Sequence, residues 1–236
     1  MVSMTKIFID PGHGGTDSGA VGNGLLEKDL TLKIAKKIQS LLQGYEDVEV
    51  RMSRTTDKTL SLDQRTNAAN NWNADFLLSI HINAGGGTGY EDYRYNTLAI
   101  SSRTGKIHAT IHNAIMDELT PYNIVDRGTK ASDLHVLRES HMDAILTESL
   151  FIDTRKDATL LKNEEFLNAV ATGHVKGLER AFNLKKKAAV STYKIKAGDT
   201  LWEIEERLNI DHGTLEKLNP NVNPTKLSIG QSIRIK

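Results

Sequence analysis

The sequence predicts an α/β protein with a mostly parallel sheet flanked by helices, followed by a small module of strand, two short helices and strand. Three observations predict it. Short apolar runs alternate with amphipathic helical stripes from residue 5 to about residue 182, the rhythm of strand–helix–strand units. Two of those runs end at a histidine beside a glycine-rich turn, where open α/β sheets place their sites. From Tyr193 onward the elements become shorter and the pattern changes.

Composition bounds the answer. The 236 residues suffice for one sizeable α/β core and a small second unit. No apolar run approaches the roughly 18 residues that span a bilayer, and the amino terminus lacks the apolar segment and cleavage site of a signal peptide. No membrane insertion is expected. The absence of cysteine excludes disulfides, thiolate ligands and cysteine nucleophiles, so any metal must sit on His, Asp or Glu. Thirty basic residues balance thirty acidic ones, and the densest basic run, Lys185 to Lys187, reads as a linker rather than a face for nucleic acid.

Ile7 to Ile9 form an apolar strand that Pro11 stops, because proline cannot donate to a ladder. The following Gly12-His13-Gly14-Gly15 presents an imidazole in a tight turn, as a metal ligand, part of an anion cradle, or an ordinary turn residue. Glu27 precedes the stripe Leu30, Ile34, Ile38 and Leu41. It stands at a helix start, where an acid also complements the macrodipole. Val48 to Met52 is a second strand, Ser53 to Asp57 a loop, and Leu62 to Trp72 a helix carrying Arg65. Asp75 to Asn83 alternates: Phe76, Leu78, Ile80 and Ile82 share one face, and Ser79, His81 and Asn83 the other. Ala84 to Gly89 breaks regular structure, and the stretch to Asn96 reads as loop, with Tyr90, Tyr93 and Tyr95 as sugar-groove candidates or loop anchors.

Ile107, Ile111, Ile115 and Leu119 mark a helix ended at Pro121. Arg127 to Thr129 reads as a turn and Leu134 to Leu137 as a short strand. Ala144 to Ile152 is a strand with Glu148 inside an otherwise almost wholly apolar run. A lone carboxylate there costs several kcal/mol or stays protonated, so it is functional or tightly paired, with Arg127 or Arg138 as the candidate partners if structural. Leu160 to Phe182 supplies one long closing helix. In the last unit Thr200 and Glu203 form a capping box, and Trp202 is expected in its thin core.

Taken together, the motif at Asp10–Gly15, Glu27, the Ser79–Asn83 run and Glu148 resemble the zinc-dependent N-acetylmuramoyl-L-alanine amidases, in order and in spacing. The resemblance covers residues 5 to about 182 and implies a six-stranded, mostly parallel mixed sheet. Tyr193 to Lys236, with KAGDTLWEI and LNP, resembles a LysM module, a binder of N-acetylglucosamine-containing glycans. The expected organisation is a catalytic domain over 1–184, a linker over 185–192 and LysM over 193–236.

By resemblance, one Zn²⁺ per chain falls on His13, Glu27 and His81, and the catalytic acid on Glu148. Arg65 and Asn83 match supporting positions. Glycan contacts in LysM are expected at Gly198, Asp199, Thr200, Asn219, Pro220 and Asn221. Two departures stand out: Ser149-Leu150-Phe151 replaces the usual glycine and phenylalanine after the glutamate, and Asp143 stands where proline is frequent. Two neutral imidazoles and a carboxylate leave a tetrahedral zinc one open position, and a nearby glutamate can shuttle the proton that amide cleavage requires.

The expected function is hydrolysis of the amide between N-acetylmuramic acid and L-alanine in peptidoglycan, with LysM holding the enzyme on the wall. Synthesis in the cytoplasm and action after release fit a phage-type endolysin or a mother-cell autolysin. The alternatives are another zinc hydrolase of the wall, a peptidase or deacetylase, or a non-catalytic peptidoglycan binder. No protein partner is inferable.

Overall fold

The computed structural model describes residues 4–188 and 191–236. The chain divides into two compact units, Met1–Lys186 and Lys187–Lys236. Lys185 and Lys186, expected in the linker, are tied into the first unit. The Glu46 N–H donates to the Lys185 carbonyl (2.8 Å), and Lys186 bridges Tyr45. Residues 189 and 190 of that expected linker lie outside the described residues.

The first unit runs β1 (Thr5–Pro11), β2 (Val21–Gly22), β3 (Leu25–Leu26), α1 (Glu27–Leu42), β4 (Val48–Met52), α2 (Leu62–Asn71) and β5 (Phe76–Asn83). It continues with β6 (Tyr90–Tyr95), α3 (Arg103–Leu119), β7 (Asp126–Ser132), α4 (His135–Arg138), β8 (Asp143–Phe151), α5 (Arg155–Leu161) and α6 (Glu164–Phe182). Six strands form one sheet in the order β4-β1-β5-β8-β6-β7, with β6 antiparallel to β8 and the other neighbours parallel. The mixed six-stranded sheet is the predicted architecture.

Strand alternation divides the core. Phe76, Leu78, Ile80 and Ile82 of β5 pack with Ile34 and Ile38 of α1, Ile111 and Ile115 of α3, and Val170 and Leu178 of α6. Truncating one of these fully buried side chains to alanine costs about 2–5 kcal/mol, because the cavity closes only partly. The opposite face is thinner: Phe8, Leu77 and Leu146 lie with Trp72, Val136 and Leu137 near α2 and α4. His81 and Glu148 stand on this second face, at the carboxyl ends of β5 and β8.

Four expectations for this unit are corrected. Tyr90–Tyr95 is a strand rather than a loop, and Tyr90 is fully buried. Asp126–Ser132 is the sheet's edge strand, not a turn. His135–Arg138 is a helical turn; so short an apolar run does not distinguish helix from strand. The closing helix is two helices, because the Asn163 side chain accepts from the N–H groups of Glu165 and Phe166 and starts α6 afresh.

The second unit comprises β9 (Thr192–Lys194), α7 (Leu201–Leu208), α8 (Thr214–Leu218) and β10 (Ser232–Arg234), with β9 and β10 antiparallel. The capping box forms at Thr200 and Glu203. Its core is Ile195, Leu201, Ile204, Leu215 and Ile233. Trp202 is not in it: the residue is 59% exposed and its ring stacks on His212, because Leu201 and Ile204 occupy the buried stripe of α7.

Candidate metal centre and catalytic face

His13 sits just past β1, with φ of 60°, and its turn is held by two buried arginines. Arg65 donates to Asp10 Oδ1 (2.8 Å), the Pro11 carbonyl (2.8 Å) and the His13 carbonyl (2.7 Å). Arg54 donates to the carbonyls of Pro11 (3.0 Å), Gly12 (2.8 Å) and Lys28 (2.8 Å). Asp10 also accepts from Ser53 and Ser79, tying β1 to β4's exit and to β5. Gly12 is required by contact: a Cβ there would lie 2.3 Å from the His81 ring.

Glu27 opens α1 and is 4% exposed. Its Oε2 accepts from the Ala20 N–H (2.8 Å) and lies 3.2 Å from His13 Nε2. Its Oε1 accepts from the Ile82 N–H (3.0 Å) and lies 3.0 Å from His81 Nδ1. The three residues bring donor atoms within 4.8 Å of one another. Two donors bound about 2.0–2.1 Å from a tetrahedral zinc lie roughly 3.3 Å apart, so the spacing and the His₂Glu donor set both fit the ion. The other nitrogen of His13, Nδ1, pairs with Asp17 Oδ2 at 2.9 Å, the support a ligating imidazole ordinarily has. Gly19 leaves the necessary room, since a Cβ on it would meet the His13 ring at 2.5 Å and Glu27 Oε2 at 2.6 Å.

Burial alone would raise the Glu27 carboxyl, but hydrogen bonds with His13 and His81, the His81 charge and the Ile82 N–H hold it well below the usual range. For His13, burial opposes the charged form and is outweighed by Glu27 and then Asp17, so its pKa is raised.

Glu148 pairs in register with His81 across β5–β8, so the two side chains share a face. It is partly buried, and its Oε2 is buried without a hydrogen-bond partner among the described residues. Burial pushes its carboxyl up to about 7; the His81 charge opposes this, and Glu27 and Glu91 add to it. The cations considered as structural partners are engaged elsewhere: Arg127 with Glu91, and Arg138 with Asp133 and Glu139. A cleft of about 370 Å³ opens on the other side, lined by Gly12, His13, His81, Leu62, Leu134 and Val136.

The two departures have structural consequences. Leu150, in the stretch that departs from the family's glycine and phenylalanine, has φ of 68°, a left-handed conformation that costs an L-residue about 1–2 kcal/mol. The β5–β8 register slips there, between His81 and Asn83. Asp143 accepts from Thr104 (2.5 Å) and pairs with Arg103 (3.1 Å), tying the start of α3 to β8.

His13, Glu27, His81 and Glu148 thus meet on one face. Arg65 holds the His13 turn and lines the cleft beside it. Asn83 donates to Glu91 Oε1 (2.8 Å) and its Oδ1 accepts from the Ala84 N–H. In the second unit, Asp199 accepts from the Lys196 N–H and Arg207, Thr200 caps α7, and Asn219 bonds Leu215 and Arg234; these side chains shape loops. Gly198, Pro220 and Asn221 are exposed. Sequence reasoning missed Arg54, Asp17 and Glu91, whose partners are distant or lie in loops without a recognisable pattern.

The sequence pattern of the N-acetylmuramoyl-L-alanine amidase family matches residues 7–180, and that of the LysM domain matches residues 193–236. The chain belongs to this amidase family. It is 52% identical over 196 residues to the sporulation-specific N-acetylmuramoyl-L-alanine amidase of Bacillus subtilis (strain 168), covering 83% of this chain and 75% of the relative. It is 48% identical over 193 residues to the endolysin of Bacillus phage SPP1, covering 81% and 71%. The solved structure of the N-acetylmuramoyl-L-alanine amidase from Clostridium difficile 630 superposes with a TM-score of 0.73 at 36% identity, covering 77% of this chain and 98% of that one. The protein is a cell-wall amidase carrying a LysM peptidoglycan-binding domain. Among the described residues, no helix of the amidase is long and apolar enough to cross a membrane.

Proposed function

We propose that His13, Glu27 and His81 hold one zinc ion per chain and that Glu148 moves the proton in cleavage of the bond between N-acetylmuramic acid and L-alanine. The observation that carries this reading is the convergence of three donors within 4.8 Å beside a carboxylate with a buried, unpartnered oxygen. Zinc held there supplies Lewis acidity, polarising the scissile carbonyl and acidifying water. The chain's own groups do the rest. Glu27, kept ionised, contributes the negative charge of the ligand set, and Asp17 orients His13. Glu148, with its pKa near neutrality, accepts a proton from the attacking water and returns one to the leaving alanine nitrogen. An amide nitrogen leaves poorly without that second transfer. Arg65 supports the site through the His13 carbonyl, and Asn83 supports it through Glu91.

The deciding experiment follows amino-terminal alanine released from a soluble muramoyl-L-alanyl peptide. Release should stop with a chelator and return with zinc; release indifferent to the chelator would contradict the metal reading.

The LysM module is proposed to bind N-acetylglucosamine-containing glycan through the exposed loop positions Gly198, Pro220 and Asn221, with Asp199, Thr200 and Asn219 shaping those loops. Tethering raises local concentration without changing the chemistry. A chain ending at Ala188 should therefore keep near-normal turnover on the soluble substrate and lose activity on intact walls. Equal loss on both would mean that the module supports the active site. The sporulation-specific amidase and the endolysin among the relatives support a lytic role, exercised on the wall after release from the cell that makes the enzyme.

A further inference from the structure

The register sets His81, Glu148 and Glu91 side by side on β5, β8 and β6, on the open face of the sheet. Beyond them, on β7, stand Arg127 and Lys130. Glu91 is 3% exposed, and its carboxyl is held at about 2: burial would raise it, and Lys130, Tyr93 and Arg127 outweigh burial. Its Oε2 accepts from Arg127 Nε (2.5 Å) and from Lys130 Nζ; its Oε1 accepts from Tyr93 (2.6 Å) and Asn83 (2.8 Å). The Arg127 guanidinium also lies over the Phe151 ring, 4.9 Å from its centre.

Among the described residues, one nitrogen of that guanidinium is engaged, Nε. Among the described residues, neither terminal amino group of Arg127 has a hydrogen-bond partner, and 34% of the side chain is exposed. A planar cation fixed by one nitrogen and one ring face, with its fork free, is pre-organised to take a carboxylate by two parallel hydrogen bonds. The local charge favours the same ligand, since Arg127 and Lys130 both contact the single carboxylate of Glu91.

We propose that Arg127, with Lys130 beside it, binds a carboxylate of the stem peptide one residue beyond the alanine, and so sets the direction in which the substrate lies across the site. The inference rests on reading Glu148 as the group at the scissile bond. The reach is suitable. Strands lie about 4.8 Å apart, so β7 is roughly 10 Å from β8, and the Arg127 head reaches back one strand to Glu91. An extended peptide advances about 3.3–3.6 Å per residue, which puts a carboxylate two residues from the scissile carbonyl roughly 7 Å away. The cleft on the His13 side, whose arginine is already bonded to Asp10 and two carbonyls, is left for the muramic acid.

The test compares two soluble substrates that differ in one group. One is N-acetylmuramoyl-L-alanyl-D-isoglutamate with a free α-carboxylate; the other has that carboxylate amidated, and both are capped as amides at the γ-carboxyl. The parent enzyme should prefer the free acid by roughly ten- to a hundredfold in kcat/KM, chiefly through KM, the range expected of a hydrogen-bonded charge pair. Arg127→Gln should abolish that preference and leave the amidated substrate within about threefold of the parent, and Arg127→Lys should restore part of the preference. A parent without preference, or Arg127→Gln lowering both substrates equally, would overturn the inference; the parent's preference and Arg127→Lys decide it if Arg127→Gln does not fold. Glu148→Gln, run alongside, should lose turnover on both substrates. If it turns over normally, the reading of the site fails and this inference with it; if it is inactive while Arg127→Gln keeps the preference, only this inference fails.

Discussion

Glu27 lies between His13 and His81 at the open ends of β1 and β5, and Asp92 lies between His108 and His112 beneath α3. The ingredients are the same, a carboxylate and two imidazoles, but their settings differ. Asp92 is fully buried; its Oδ1 is 2.7 Å from His108 Nε2 and 3.0 Å from His112 Nδ1, while Tyr90 donates to Oδ2 (2.9 Å). Residues around the first cluster leave a cleft, and its histidine side chains are 25% and 19% exposed. Among the described residues, only the first cluster brings three donors within 4.8 Å. Residue type therefore does not make a metal centre. Convergence of the free donor atoms and access from solvent do, and both follow from position at the strand ends rather than under a helix.

Glu148→Gln should separate the clusters most sharply. As the proton-moving group of the first, Glu148 contributes about 10²- to 10⁴-fold, so turnover should fall at least a hundredfold with zinc retained. Near-native turnover would remove it from the mechanism. The same substitution should also raise stability. A carboxyl raised from its ordinary 4.5 to about 7 binds protons in the folded state, so folding weakens as pH rises through that interval. With both proteins chelator-treated, Glu148→Gln should thus be more stable than the parent at pH 8, by an amount of order 3 kcal/mol, and by much less at pH 5. Equal melting at both values would contradict the buried, unpaired carboxylate.

The next largest effect belongs to the second cluster. Asp92→Asn breaks a buried charge network and should cost about 3–5 kcal/mol by urea denaturation without reducing zinc content. For His112, burial lowers the pKa but Asp92 and Asp126 outweigh it, so the folded value lies above the ordinary 6.5. Its contribution is complete below that value and fades as pH rises through the folded one. For Asp92, burial is outweighed by His108 and His112, so its contribution is present above 3.8 and fades only at more acid pH. The penalty of Asp92→Asn should accordingly be largest near pH 5–6 and smaller at pH 9. A penalty that does not vary with pH would show that packing, not charge, holds the cluster.

The contrast also explains what the sequence could reveal. His13, Glu27, His81 and Glu148 were legible because each interrupts a local pattern: a glycine turn, a helix start, a polar file on an alternating strand, an acid in an apolar run. β6 was not legible. Its stretch read as loop, yet Glu91 and Asp92 are each buried against partners elsewhere in the chain, Arg127 and Lys130 for one and His108 and His112 for the other. β7 failed for the same reason, since a polar edge strand needs its neighbour to be recognised. Arg54 acts on backbone carbonyls, which leave no side-chain pattern to find. Trp202 shows the converse: a large apolar residue in a small unit still lies outside when two better-placed aliphatics fill the stripe.

Asp17→Asn should give the smallest of these effects. It weakens the support of His13 while leaving all three donors, so zinc affinity should fall by roughly tenfold, the low end for such partners because Asp17 is largely exposed. An unchanged affinity by competition with a chromogenic chelator would show that His13 is oriented by its turn alone.

The most direct measurement is zinc content by elemental analysis in the parent, His81→Ala and His112→Ala, purified identically. Removing one ligand from three severely weakens binding, whereas removing an imidazole from the buried cluster leaves every donor in place. About one zinc per chain is expected in the parent and in His112→Ala, and far less in His81→Ala. Full occupancy in His81→Ala, or loss confined to His112→Ala, would contradict it.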